Sequence, residues 1–258
     1  MRFNREIPHG LIRNTSLYRT IAVDAGSPLA HDPLVILTRA GVSCDAYYAR
    51  TDGLNPPYRR RIPGATPVLR SRREVARRLK KVNTSLKPLG LELLVLDAHR
   101  SLECQRGLWK YFRSQAARHL PSASAAQREQ YALRYCSDPR HFSATDSTTW
   151  PVHLTGGSVD LTLRRLGGAR EPVFMGSIFD ESSVVSDTDY FERHVKTESD
   201  RVARTNRRIL YWSMTGQGFT NLASEWWHYD WGTQLWAAVR RSDGDRRAIP
   251  AVYGPIVR

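Results

Sequence analysis

Pro151-Val152-His153-Leu154-Thr155-Gly156-Gly157-Ser158-Val159-Asp160-Leu161-Thr162-Leu163 is the stretch from which the rest of the chain can be read. Successive side chains on a strand point to opposite faces, so Val159, Leu161 and Leu163 share one face and Asp160 and Thr162 the other. The apolar face belongs in a core, and the other turns Asp160 toward a cleft. A carboxylate on a half-buried strand is costly unless it is paired or bound to a metal. The partners available are His153 and, far downstream in Glu225-Trp226-Trp227-His228-Tyr229, His228. Two imidazoles and one carboxylate, with a second carboxylate at Glu225 left over, are the inventory of a catalytic zinc site whose fourth position is kept for water. This is not the helical His-Glu-x-x-His signature, so local structure must bring the groups together. Gly156-Gly157 have to fold the chain back toward His153. Glu225 and His228, three apart, would face opposite ways on an ideal strand. Glu225 therefore has to sit at a bend before the strand or on a bulge.

Working outward, Leu91-Glu92-Leu93-Leu94-Val95-Leu96-Asp97 is apolar and β-prone, a buried strand that delivers Ala98-His99-Arg100-Ser101 at its end. Before it, Val75, Leu79, Val82 and Leu86 recur at helical spacing. Ser71 stands as N-cap with Glu74 three residues on, and Pro88 and Gly90 stop the helix. Further helices are expected from Leu102 to about His119, from about Ala123 to Cys136, and from about Ser199 to Met214. Short strands are expected at Leu34 to Leu37, within Glu171 to Asp180, from Gly218 to Leu222 and from Glu225 to Trp231. This order predicts an α+β fold, a single domain with helices packed against a central antiparallel sheet that carries the site. Residues 1–40 read as an N-terminal extension, 41–240 as the domain and 241–258 as a tail.

The chain has 258 residues, enough for one core without disulfides. No apolar run reaches the roughly 18 residues a membrane span needs. Cys44, Cys104 and Cys136 form no Cys-x-x-Cys pair, which disfavours a zinc ribbon and predicts buried, reduced thiols. Met1 to Arg13 holds arginines but no apolar core of a secretory signal. A cytoplasmic location is the expectation, and a periplasmic one would go with a leader ahead of this sequence. The formal net charge of +14 would attract polyanions. Much of it lies in Arg59-Arg60-Arg61 and between Arg70 and Lys81, read here as the solvated face of a helix. No zinc-finger spacing or RNA-binding aromatic signature stands beside it, so nucleic acid is not the expected partner. Of the remaining histidines, His9, His31, His119, His141 and His194 read as structural.

Five blocks in order now carry a resemblance: Asp45 to Ala49, Asp97 to Arg100, His153 to Leu163, Met175-Gly176-Ser177-Ile178-Phe179-Asp180, and Glu225 to Tyr229. Together they resemble the D-alanyl-D-alanine dipeptidases, the VanX type of the wider zinc D,D-peptidase superfamily. The likeness implies that His153, Asp160 and His228 bind one zinc ion. It implies that Glu225 is the general base, and that Arg100 stabilises the developing oxyanion. Asp180, with Tyr48 beside it, would hold the free ammonium of a small dipeptide. Zinc would bring a bound water to a pKa of about 7.

The chain departs from the family pattern where Pro151 and Val152 replace a serine, with Thr149 and Thr155 as the hydroxyls nearest to hand. It departs again at Ala98, His99 and Ser101, where glycine, tyrosine and proline are usual. The implied function is hydrolysis of D-Ala-D-Ala to free D-alanine, in wall recycling or in removing the target of glycopeptide antibiotics. The alternatives are a peptidoglycan carboxypeptidase of the same superfamily and a basic, nucleic-acid-binding zinc module. Oligomeric state is not encoded in any of these features.

Overall fold

The computed structural model describes residues 3–8, 16–133, 135–167, 171–242 and 250–256. A five-stranded sheet runs through the middle in the order β2 (Ser43–Cys44), β4 (Leu91–Asp97), β5 (Ser158–Arg165), β7 (His228–Asp230), β6 (Thr220–Asn221). Its pairings are antiparallel except that the two-residue edge strand β2 runs parallel to β4. A separate two-stranded sheet joins β1 (Leu34–Ile36) to β3 (Arg70–Arg72). Around these lie α1 (Arg73–Leu86), α2 (Leu102–His119), α3 (Ala125–Leu133), the single turn α4 (Tyr190–Arg193), α5 (Glu198–Thr215) and α6 (Gln234–Ser242). The fold is α+β in one domain, with a largely antiparallel central sheet.

Strands β4 and β5 are covered on both faces, which is why Leu91 to Asp97 reads as a nearly continuous apolar run. Leu93, Val95, Val159, Leu161 and Leu163 are fully buried. Val75, Leu79, Val82 and Leu86 of α1 and Leu210 and Met214 of α5 join them in the same core. A capping box opens α5: the Thr197 hydroxyl accepts from the Asp200 amide, and the Asp200 carboxylate accepts from the Thr197 amide.

Several sequence expectations are corrected. Ser71 is not an N-cap; it is buried in β3, and α1 begins at Arg73. The first turn is capped from a distance, by the Asp32 carboxylate, which accepts from the Glu74 amide at 2.7 Å. Local sequence could not show this, because the capping group lies forty residues away. The basic run is not wholly solvated either. Arg72 is buried and donates to the carbonyls of Asp32, Thr155 and Gly254. The strand expected within Glu171 to Asp180 is reduced to a single bridge between Pro172 and Arg164, followed by turns.

The described parts of both termini lie on the domain. Ile7 is buried and donates its amide to Glu192, Val23 bridges Ala251, and Tyr253 is fully buried. Cys104 and Cys136 are buried and Cys44 half-buried, all as free thiols, and burial pushes each thiol up to about 12. His9 lies outside the described residues. Among the described residues no helix is long and apolar enough to cross a membrane.

Candidate metal centre

Three neighbouring strands set the site. A bulge between Val95 and Asp97 shifts the register so that Asp97 stands opposite Asp160, and Asp160 in turn stands opposite His228. Directly opposed residues on adjacent strands are the closest cross-strand neighbours. Asp97, Asp160 and His228 therefore form a row across one face of the sheet. His153 joins from a 3₁₀ turn, Val152–Thr155, which ends at Gly156 with φ of +74°, a left-handed conformation that glycine adopts without penalty. A side chain on Gly157 would collide with Thr233 and the Trp231 carbonyl, so the glycine pair both turns the chain and lets it pass close to the sheet.

His153, Asp160 and His228 are all buried, and their ligand atoms lie within 4.8 Å of one another. Each imidazole is fixed by its far nitrogen. His153 Nδ1 lies 2.9 Å from the Ala98 carbonyl, which can only accept, so Nδ1 carries the proton and Nε2 a lone pair. His228 Nε2 lies 2.7 Å from the Asp230 carboxylate, which leaves Nδ1 as the lone pair. The two lone-pair nitrogens face each other at 3.2 Å. Asp160 Oδ1 is 3.0 Å from His228 Nδ1, and Oδ2 is 3.4 Å from His153 Nε2. Two imidazole nitrogens and a carboxylate converging in a buried space call for a cation among them, a proton shared by His228 and Asp160 or a metal ion held by all three. Imidazoles oriented by a carbonyl and a carboxylate are the usual support of metal-binding histidines. The donor set therefore fits a zinc-type ion.

The electrostatics agree. Burial alone would lower the pKa of His228, yet Asp230 and Asp160 raise it well above the ordinary value, so the pocket favours positive charge. Burial raises Asp160, but His153 and His228 outweigh that and hold its carboxyl below the usual carboxylate range.

Glu225 lies just ahead of β7, in the turn closed by the His228 amide donating to the Glu225 carbonyl. Of the two geometries open to it, the bend before the strand is the one realised. Its Oε2 is 3.9 Å from His228 Nδ1. Burial, with Asp160 and Asp180 nearby and His228 partly opposing, pushes its carboxyl up to about 8.

Arg100 is held by Asp97 at 2.8 Å and Asp160 at 3.2 Å, and also donates to Gln105. Asp180 has φ of +58°, uncommon for a residue with a side chain. The hydroxyls of Tyr48 and Tyr58 both donate to its Oδ2, at 2.7 and 2.8 Å. Burial and Asp160 push its carboxyl up to about 7 against those two hydrogen bonds. Tyr47, adjacent in sequence to Tyr48, instead donates to the Pro56 carbonyl. Tyr58 and Asp230 are not legible as site residues in the sequence, and Asp97 stands in a recognised block without a role of its own. The signal for Asp230 is its place two residues beyond His228 on the same strand face.

Trp226 and Trp227 are buried, with Trp227 edge-on to Phe179. Thr149 and Thr155 do not replace a missing serine. Their hydroxyls donate to local carbonyls, of Ser143 and Asp146 and of Val152, and neither lines the cavity. That cavity, about 760 Å³, brings Tyr48, Arg100, His153, Asp160, Asp180, Glu225 and His228 together.

A buried pair of oriented imidazoles and a carboxylate, with a further carboxylate that need not ligate, form a donor set that could hold a divalent metal ion. The comparisons give the family: residues 35–243 match the model of the D-Ala-D-Ala dipeptidase family of peptidases, and the chain belongs to it. It is 31% identical over 175 residues to a D-alanyl-D-alanine dipeptidase of Synechocystis sp., covering 64% of this chain and 69% of that protein. It is 31% identical over 142 residues to the D-alanyl-D-alanine dipeptidase of Escherichia coli, covering 55% of each. Among solved structures, it is similar to the vancomycin resistance D,D-pentapeptidase VanY in complex with Zn(II), at 15% identity and a TM-score of 0.39, over 63% of this chain and 73% of that one. VanYB in complex with D-alanine-D-alanine gives 14% identity and a TM-score of 0.37, over 68% and 79%.

Proposed function

We propose that this protein is a zinc-dependent dipeptidase that hydrolyses D-Ala-D-Ala to free D-alanine. The observation that carries the reading is the convergence of His153 Nε2, His228 Nδ1 and the Asp160 carboxylate, with Glu225 close by as a spare carboxylate. His153, Asp160 and His228 would hold one zinc ion. Zinc, when bound, supplies Lewis acidity and makes water a nucleophile at neutral pH. Glu225 takes the proton of the attacking water and returns it to the leaving amine. A carboxyl poised near neutral pH serves in both directions.

Arg100, braced by Asp97 and Asp160, faces the charge that develops on the carbonyl oxygen. Asp180 receives the substrate ammonium on Oδ1, since Oδ2 already accepts from Tyr48 and Tyr58. An amine blocked by acylation would leave that carboxylate without its partner, which restricts the enzyme to free dipeptides.

A second reading, trimming of a longer peptidoglycan peptide as a carboxypeptidase, is favoured by the size of the cavity, about 760 Å³. That is ample for a ligand larger than two alanines. Release of D-alanine from D-Ala-D-Ala and from its N-acetyl derivative, by zinc-loaded enzyme and by Glu225→Ala, separates the readings. Turnover of the free dipeptide alone, lost in the variant, supports the dipeptidase. Equal turnover of both substrates makes Asp180 no gatekeeper and supports the carboxypeptidase. Turnover of neither removes the proposal.

A further inference from the structure

The charge lining the cavity is unbalanced. Asp160, Asp180, Asp187 and Glu225 face it, against two permanent cations, Arg100 and Arg19. Arg100 is committed to Asp97 and Asp160. Arg19 is different. It belongs to a short 3₁₀ segment, Ser16–Thr20, outside the residues matched by the family model. Its guanidinium donates to the Thr148 carbonyl at 2.7 Å and lies over the Tyr18 ring. Among the described residues it meets no carboxylate.

The segment is fastened rather than loosely apposed. Gln234, buried at the start of α6, donates to the carbonyls of both Arg19 and Ile21, and Ile21 is buried in the core. Arg19 therefore reaches the cavity with its backbone fixed and its charge unspent. Its neighbours are Thr148 and Gln234, whereas Asp180 is held by Tyr48 and Tyr58.

We infer that Arg19 is a specificity residue that receives the C-terminal carboxylate of the substrate. This rests on the peptidase reading of the same site and deepens it. A dipeptide zwitterion has one charge at each end, and the cavity offers one carboxylate for the ammonium and one unpaired guanidinium for the carboxylate. A guanidinium presents parallel donors that match a carboxylate bidentately, so an amide in its place cannot be received in the same way. The N-terminal segment is thereby part of the active site.

The test compares D-Ala-D-Ala with D-alanyl-D-alaninamide, which differ only in the terminal charge. Binding is measured by calorimetry to zinc-loaded Glu225→Gln, with and without Arg19→Ala, and turnover is measured in the parent and in Arg19→Ala. With Arg19 present the free acid should bind at least tenfold more tightly than the amide, and Arg19→Ala should erase the difference. In turnover, Arg19→Ala should raise KM for the acid about tenfold with kcat changed less than threefold, and Arg19→Lys should recover part of the loss. An acid-over-amide preference that survives Arg19→Ala, or its absence in the parent, overturns the assignment. Binding that depends on Arg19 without turnover in the parent would sustain the assignment and remove only the peptidase reading. Binding of neither compound removes both.

Discussion

His228 Nε2 lies 2.7 Å from Oδ2 of Asp230, two residues further along the same strand and on the same face. Asp230 is itself fully buried, and Oδ1 accepts from the hydroxyls of Ser158 and Thr233. The carboxylate is thus pinned on one side and holds the imidazole on the other, fixing which nitrogen is free for a metal. Replacing Asp230 by Asn keeps the shape but removes the charge and permits the wrong tautomer. Loss of such a supporting group costs about 10- to 100-fold in metal affinity. Competition against a chelating dye should show zinc affinity lower by that factor in Asp230→Asn. An unchanged zinc affinity would mean that the pairing does not orient His228.

Arg72 makes a prediction about stability rather than chemistry. It donates to three backbone carbonyls from segments far apart in sequence: Asp32, Thr155 and Gly254. Arg72→Ala leaves those acceptors without their donor in a buried place, where each unsatisfied group costs about 1–3 kcal/mol. Urea unfolding should show Arg72→Ala destabilised by about 3 kcal/mol or more. A loss below about 0.5 kcal/mol, the range of an ordinary surface substitution, would contradict the structural role.

The same residue shows where the sequence could be read and where it could not. The helix and strand periodicities of Val75 to Leu86, Leu91 to Asp97 and Val159 to Leu163 are local, and each lies within an element of the expected type. The three candidate ligands could be picked out because a buried carboxylate demands a partner and few were on offer. Tertiary partnerships left no such trace. Arg72 looked like one more arginine in a basic run, and Ser71 looked like a helix cap, since nothing nearby announced Asp32. Tyr58 lay in an irregular loop between prolines, with no periodicity to mark it, and only the folded chain brings it to Asp180.

Tyr58 and Tyr48 donate to the same oxygen of Asp180. A hydrogen bond to a charged group contributes roughly 1.5–3 kcal/mol. Tyr58→Phe should therefore lower kcat/KM for D-Ala-D-Ala by about tenfold or more, through KM, by making the carboxylate harder to ionise and less well aimed. The ring should keep its edge contact with Tyr48 and its packing on Tyr111, so the fold should be retained. Kinetics at pH 7, with circular dichroism as a folding control, check this. Wild-type KM in the variant would assign the ammonium site elsewhere.

The last prediction concerns pH and uses the metal-free protein. Burial raises the Asp180 carboxyl from its ordinary 3.8 to about 7, and that of Glu225 from 4.5 to about 8. Between about pH 4.5 and 7 the unfolded chain has mostly lost both protons while the folded chain still mostly holds them. Unfolding then releases protons, so stability must fall as pH rises through this window and level off above it. Each group contributes a slope of up to about 1.4 kcal/mol per pH unit. Asp160 acts with the opposite sign, its lowered pKa giving stability that is lost only as pH falls below the ordinary carboxylate range. His228, whose pKa is raised, contributes stability below the ordinary histidine value that is lost at higher pH. It therefore deepens the decline only above about pH 6.5. Between pH 4.5 and 6.5 Asp180 and Glu225 act together with Asp97, which burial also raises. They outweigh His99, which burial lowers to about 4 and whose stability contribution rises with pH over the same range. Urea unfolding across that range should show stability declining in the parent and declining less steeply in Asp180→Asn, which has no proton to lose. If the variant keeps the parent slope, Asp180 is already ionised in the folded chain, and its burial does not set its charge.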